Sequence, residues 1–124
     1  MAKDRIKNAV YFLTEQACCL LQAQGEKTEH FNICEEAVRY LVKGDPELLQ
    51  PFKERTSTVK HDPNADYETE QYDDKSADIR TAIEYLASLA KEPGTPAEKG
   101  EILSQGARLI AEFYGEEDAL PQTG

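Results

Sequence analysis

No stretch of this 124-residue chain stays apolar long enough to cross a bilayer. Met1 to Lys7 is charged, and Asn8, Thr14, Glu15 and Gln16 interrupt the apolar residues that follow, so neither a signal peptide nor a transmembrane segment is expected. Cations are also scarce. There are 14 Lys+Arg against 24 Asp+Glu, a net charge of −10. Such a surface repels phosphate backbones and anionic membranes, so no direct nucleic-acid or membrane binding is expected. A protein partner with a basic surface, or a divalent cation, is favoured instead. Cysteines number three (Cys18, Cys19 and Cys34), an odd count with two adjacent. Neighbours on a helix point about 100° apart, which is a poor basis for a disulfide framework and points to a reducing, cytoplasmic compartment.

Other absences narrow the chemistry. The period-two alternation of β-branched residues that marks strands is missing throughout. Gly-rich phosphate loops, a G-x-S-x-G elbow, Cys-x-x-Cys and Glu-x-x-His pairs are all missing, as is any internal repeat. No convergent catalytic set stands out, and no cofactor is expected.

What remains is helical periodicity. A first helix over about residues 4–24 carries Ile6, Ala9, Val10, Leu13, Ala17, Leu20 and Leu21, with Tyr11, Phe12, Cys18 and Cys19 widening the stripe. A helix this broad is either central or part of an oligomer interface, so a homodimer through its Tyr11, Phe12 and Cys19 side is a further expectation. Thr28 reads as the N-cap of a second helix with Phe31, Cys34, Ala37, Val38 and Leu41 on one face. Lys43-Gly44 stops it, and Asp45-Pro46 starts a short third helix with Leu48, Leu49 and Phe52. A fourth helix over about 77–91 carries Ile79, Ala82, Ile83, Leu86, Leu89 and Ala90. Thr95-Pro96-Ala97-Glu98 has the form of a capping box opening a fifth, with Ile102, Leu103, Leu109, Ile110, Phe113 and Tyr114 before Gly115. The expected fold is all-α: a four- or five-helix antiparallel bundle with one long acidic loop. Residues 1–115 would form one domain, with the loop at about 56–75. Residues 116–124 would be a flexible acidic tail ending Leu120-Pro121-Gln122-Thr123-Gly124. That pentapeptide matches the L-P-x-T-G signal of sortases without the apolar stretch and basic tail that normally follow, and is set aside from the fold.

The loop is the most distinctive segment. Asp66, Glu68, Glu70, Asp73 and Asp74 surround Tyr67 and Tyr72, an arrangement suited to a basic protein partner: the tyrosines supply rigid contact area and the carboxylates speed encounter. Asp62, Asn64, Asp66, Glu68, Glu70 and Asp73 also place oxygens at positions 1, 3, 5, 7, 9 and 12 of a calcium loop. This spacing resembles an EF-hand or dockerin loop, which would imply calcium as the ligand. Position 6 is Tyr67 rather than Gly, and position 12 is Asp73 rather than Glu. Arg55 and His61 form an R-x5-H pair near a helix end. The pair resembles the motif of the HEPN superfamily of helical ribonucleases and toxin–antitoxin components. The resemblance implies Arg55 on phosphate charge, His61 in acid–base catalysis and a site shared by two chains. Asp62-Pro63 directly after His61 departs from a helical setting for the motif. Finally, His30 and Cys34 lie four apart on the second helix and, with Cys18 or Cys19, would make a soft-metal set for zinc; buried structural thiols are the simpler reading.

Overall fold

The computed structural model describes residues 2–62 and 75–121 of the chain. Five helices make up the fold: α1 (Ala2–Gln24), α2 (Glu29–Val42), α3 (Pro46–Ser57), α4 (Ser76–Ala90) and α5 (Ala97–Tyr114), with no strand among the described residues. They form a bundle in which α1 touches each of the other four helices and α4 packs most closely on α5.

The central position of α1 explains its broad apolar stripe. Ala9, Val10, Phe12, Leu13 and Ala17 are buried, with Thr14 and Gln16 among them. The Thr14 hydroxyl donates to the Val10 carbonyl at 2.7 Å, so its burial leaves no lost hydrogen bond. Phe12, one of the three residues of the expected dimer face, is thus covered within one chain, and among the described residues Tyr11 alone of the large hydrophobics is exposed. Around α1 the core takes Phe31, Val38 and Leu41 from α2, Phe52 from α3, Ile79, Ile83 and Leu86 from α4, and Leu103 and Ile110 from α5. Each such side chain contributes roughly 1.5–3 kcal/mol of burial. Phe31 and Phe52 lie against one another at 6.0 Å between ring centroids and join α2 to α3.

The expected punctuation is present at most helix ends. Thr28 Oγ1 accepts from the Phe31 N–H at 3.3 Å, and Asp45 Oδ1 accepts from the Glu47 N–H at 3.0 Å, with Pro46 at the first helical position. Lys43 takes the left-handed cap conformation at φ 49°, and its N–H donates to the Arg39 carbonyl. The capping box is a different matter. The α5 N-cap is Pro96, with no side-chain cap bond, and the Thr95 hydroxyl instead donates to the Leu89 carbonyl at 2.7 Å. Thr95 therefore adds a hydrogen bond to a carbonyl at the end of α4 that also accepts from the Glu92 N–H, in place of capping an N–H at the start of α5.

Two expected boundaries move. The third helix runs to Ser57, so the connection to α4 spans residues 58–75. The start of the supposed flexible tail is docked. Glu117–Ala119 forms a 3-10 turn with Ala119 in the core, and Leu120 packs against that core. The Glu116 carboxylate accepts from the Ser76 hydroxyl at 2.8 Å and from Arg80 at 3.0 Å, while Asp118 pairs with Arg80 at 2.9 Å. These two carboxylates, Glu116 first, hold the Arg80 guanidinium pKa above its ordinary value. The acidic residues after α5 are a clasp on the first turns of α4, where a flexible tail was expected. Gln122, Thr123 and Gly124 lie outside the described residues.

Candidate functional site

Two rows of residues spaced by four define one face of the bundle. On α1 the row is Lys7, Tyr11 and Glu15; on α3 it is Glu47, Pro51 and Arg55. Spacing by four keeps each row on one helix side. Pro51 sits inside α3, where it has no N–H for the Glu47 carbonyl, and its exposed ring adds an apolar surface. Between the rows lies a cavity of about 460 Å³, lined by Lys7, Val10, Tyr11, Thr14, Glu47, Leu48, Pro51 and Arg55.

Arg55 is the hub of this face. Its Nη2 pairs with the Glu15 carboxylate, and its guanidinium carbon lies 5.9 Å from the Tyr11 ring centroid. Partial burial opposes its charge, but the Glu15 hydrogen bond and charge outweigh that and leave its pKa raised. Lys75 Nζ lies over the same ring at 5.4 Å, so Tyr11, at 41% exposure, has two cations against its π-face. A shallower hollow of about 420 Å³ continues from Arg55 past Cys18, Gln22, Thr58, Val59, Lys60 and Asp62.

The structure brings Arg55 and His61 to the same half of α1, but each has a local partner. The His61 Nδ1 is 3.0 Å from the Gln22 carbonyl, which assigns its hydrogen to that nitrogen because a carbonyl only accepts. The Asp62 N–H donates to the same oxygen at 2.8 Å. Together they satisfy a carbonyl in the last turn of α1. The imidazole also lies over Gly25, where φ is +75° and a Cβ would come within 2.9 Å of the ring. Only glycine accommodates both that backbone conformation and that ring.

The other expected sites fare variously. Of the proposed zinc residues, Cys34 is buried while His30 is exposed, and no group of three metal-ligating side chains occurs among the described residues. Burial pushes the Cys34 and Cys19 thiols up to about 12, Glu15 and Cys18 adding to the shift at Cys19, and burial raises Cys18 as well. With their thiols protonated at neutral pH, these cysteines lack the thiolate that a nucleophile needs. Of the calcium set only Asp62 is described; Asn64, Asp66, Glu68, Glu70 and Asp73 lie outside the described residues, as do the partner-binding residues Asp66, Tyr67, Glu68, Glu70, Tyr72, Asp73 and Asp74. From sequence Tyr11 was expected only in a dimer face with Phe12 and Cys19, and its pairing with the α3 row was not foreseen. The signal existed, as a charged–aromatic–charged row on α1 and a charged–proline–charged row on α3, but the apolar stripe beside each row is stronger.

No family model, curated protein or solved structure matches the chain. No helix among the described residues is long and apolar enough to cross a membrane.

Proposed function

We propose that this chain is a small acidic protein-binding module, of inhibitor, adaptor or immunity type, that engages a basic patch on a larger partner. The observation that carries the reading is where the acidic segment begins and ends. Asp62 is hydrogen-bonded to α1 at Gln22, and Lys75 sits on α1 at Tyr11. The run containing Asp66, Glu68, Glu70, Asp73 and Asp74 is therefore tied at both ends to one helix, and it carries five carboxylates within nine residues of sequence. Concentrated charge of this kind accelerates encounter with a basic surface and fixes orientation, while Tyr67 and Tyr72 supply contact area. No cofactor is part of this reading. Three cysteines without a disulfide suit a reducing cytoplasm.

The pairing of Arg55 with Glu15 and of His61 with Gln22 further favours an interaction role over a HEPN-type ribonuclease. Replacing Asp66, Glu68, Glu70, Asp73 and Asp74 with Asn or Gln is expected to abolish capture of partners from cell extract while the helical circular dichroism is unchanged. Unchanged capture would refute the reading. So would RNA cleavage by the wild type that is lost in His61→Ala.

A further inference from the structure

The α1–α3 cavity reaches into the core, and nothing in the protein-binding reading uses it. Val10 and Thr14, 4% and 1% exposed, are the deep part of its lining, Leu48 is half-buried, and Tyr11 and Pro51 stand exposed beside them. At 460 Å³ it falls within the ordinary range for small-molecule sites, roughly 300–1,000 Å³. Among the described residues its charges cancel. Arg55 is paired with Glu15, and Lys7 is matched in count by Glu47. An ionic ligand would give up its hydration there without meeting a surplus of opposite charge. The polar groups that remain are acceptors. Pro51 has no N–H, so the carbonyl of Glu47, another lining residue, lacks its usual helical donor. The Thr14 hydroxyl has committed its hydrogen to the Val10 carbonyl, which leaves its oxygen only to accept. Both acceptors call for a donor on the ligand, and the Tyr11 and Pro51 rings suit a flat apolar body.

We propose that this cavity binds a small neutral aromatic molecule with one hydrogen-bond donor, of the class of indoles and phenols. Its ring lies on Val10, Leu48 and Pro51 beside Tyr11, and its N–H or O–H donates to the Glu47 carbonyl. The walls favour an apolar body, the cancelled charges a neutral one, and the two acceptors a donor. The inference is independent of the acidic segment, so neither reading depends on the other.

The test uses the full chain and indole as the probe, followed by amide NMR and calorimetry. Benzofuran is the counterpart of the same shape without a donor; indole-5-carboxylate and tryptamine are the anionic and cationic counterparts. Indole is expected to bind with a Kd on the order of 1 mM, given the modest energy per atom of ligands this small. Shifts should be confined to residues 7–15 and 47–55. Benzofuran should bind about three- to tenfold more weakly, and both charged counterparts should also bind more weakly than indole. Leu48→Gln should weaken indole and benzofuran alike. Pro51→Ala gives the Glu47 carbonyl a helical donor and raises helix propensity, so it should fold and yet lose the preference for indole over benzofuran. Arg108→Gln, on another face, should change nothing. The NMR spectrum reports directly whether each variant folds. The proposal is overturned by an absence of shifts at about 5 mM indole, several-fold above the expected Kd, or by shifts centred elsewhere. It is equally overturned by equal binding of benzofuran, by a charged counterpart that binds as tightly as indole, or by an undiminished indole preference in a folded Pro51→Ala.

Discussion

Gly100 sits where α5 passes the end of α4 closely enough that a Cβ would lie 2.7 Å from the Ala90 carbonyl oxygen, a backbone atom that cannot swing away. In an open helix Gly→Ala gains about 1 kcal/mol. Here the sign reverses, and Gly100→Ala is expected to lower the chemical-denaturation stability by about 1–3 kcal/mol. Gly106→Ala is the internal control: its Cβ would meet Leu13 Cδ2 at 3.3 Å, the far end of a flexible side chain, so the loss should be much smaller. The thiols offer a second residue-scale check. The folded pKa of Cys34 is about 12, raised from 9.0 by burial, so between those values the folded state holds a proton that the unfolded state has released. Stability is therefore intact below pH 9 and falls as pH rises toward 12, by at most about 1.4 kcal/mol per pH unit from this group. Melts in that range should show a shallower alkaline decline in Cys34→Ala than in the wild type, compared as changes from each protein's own value at pH 8.

At the scale of elements, caps and clasps decide where each helix begins and ends. Thr28→Ala removes the acceptor for the Phe31 N–H and is expected to cost about 1 kcal/mol in urea unfolding, with m unchanged. Arg80→Gln cuts both ion pairs to Glu116 and Asp118. Faster amide exchange at Ala119 and Leu120, with α2 unaffected, would confirm the clasp. The five helices were readable in the sequence because their apolar residues recur at helical spacing, and Thr28, Asp45 and Gly115 mark their ends. What was not readable depends on distance in space. Thr95 has the sequence of a capping box, yet its hydroxyl serves Leu89 because the α4–α5 turn brings that carbonyl nearer. Glu116 and Asp118 read as solvent-facing charge because their partner Arg80 is 36 and 38 residues away. The site divides in the same way. Arg55 and His61 were picked out as a pair by spacing, whereas Glu15, Gln22, Tyr11 and Lys75, which define what each is doing, become neighbours only through the packing of α1.

Over the whole molecule, a bundle wrapped around α1 carries its charge unevenly. The cationic groups Arg55 and Lys75 lie against one tyrosine, and carboxylates dominate the run between Asp62 and Lys75. Net charge alone would give weak, unspecific attraction to any basic surface, screened over about 8 Å at physiological salt. A binding role for the acidic run demands that position matter and not only total charge. The decisive comparison sets three proteins side by side in partner capture: the wild type, the variant neutralised at Asp66, Glu68, Glu70, Asp73 and Asp74, and a variant with the same number of charges removed from exposed helix positions, Glu36, Glu84, Glu98, Glu101 and Glu112. Capture should be lost in the first variant and kept in the second. Equal loss in both, or no loss in either, would contradict the assignment of binding to the acidic run.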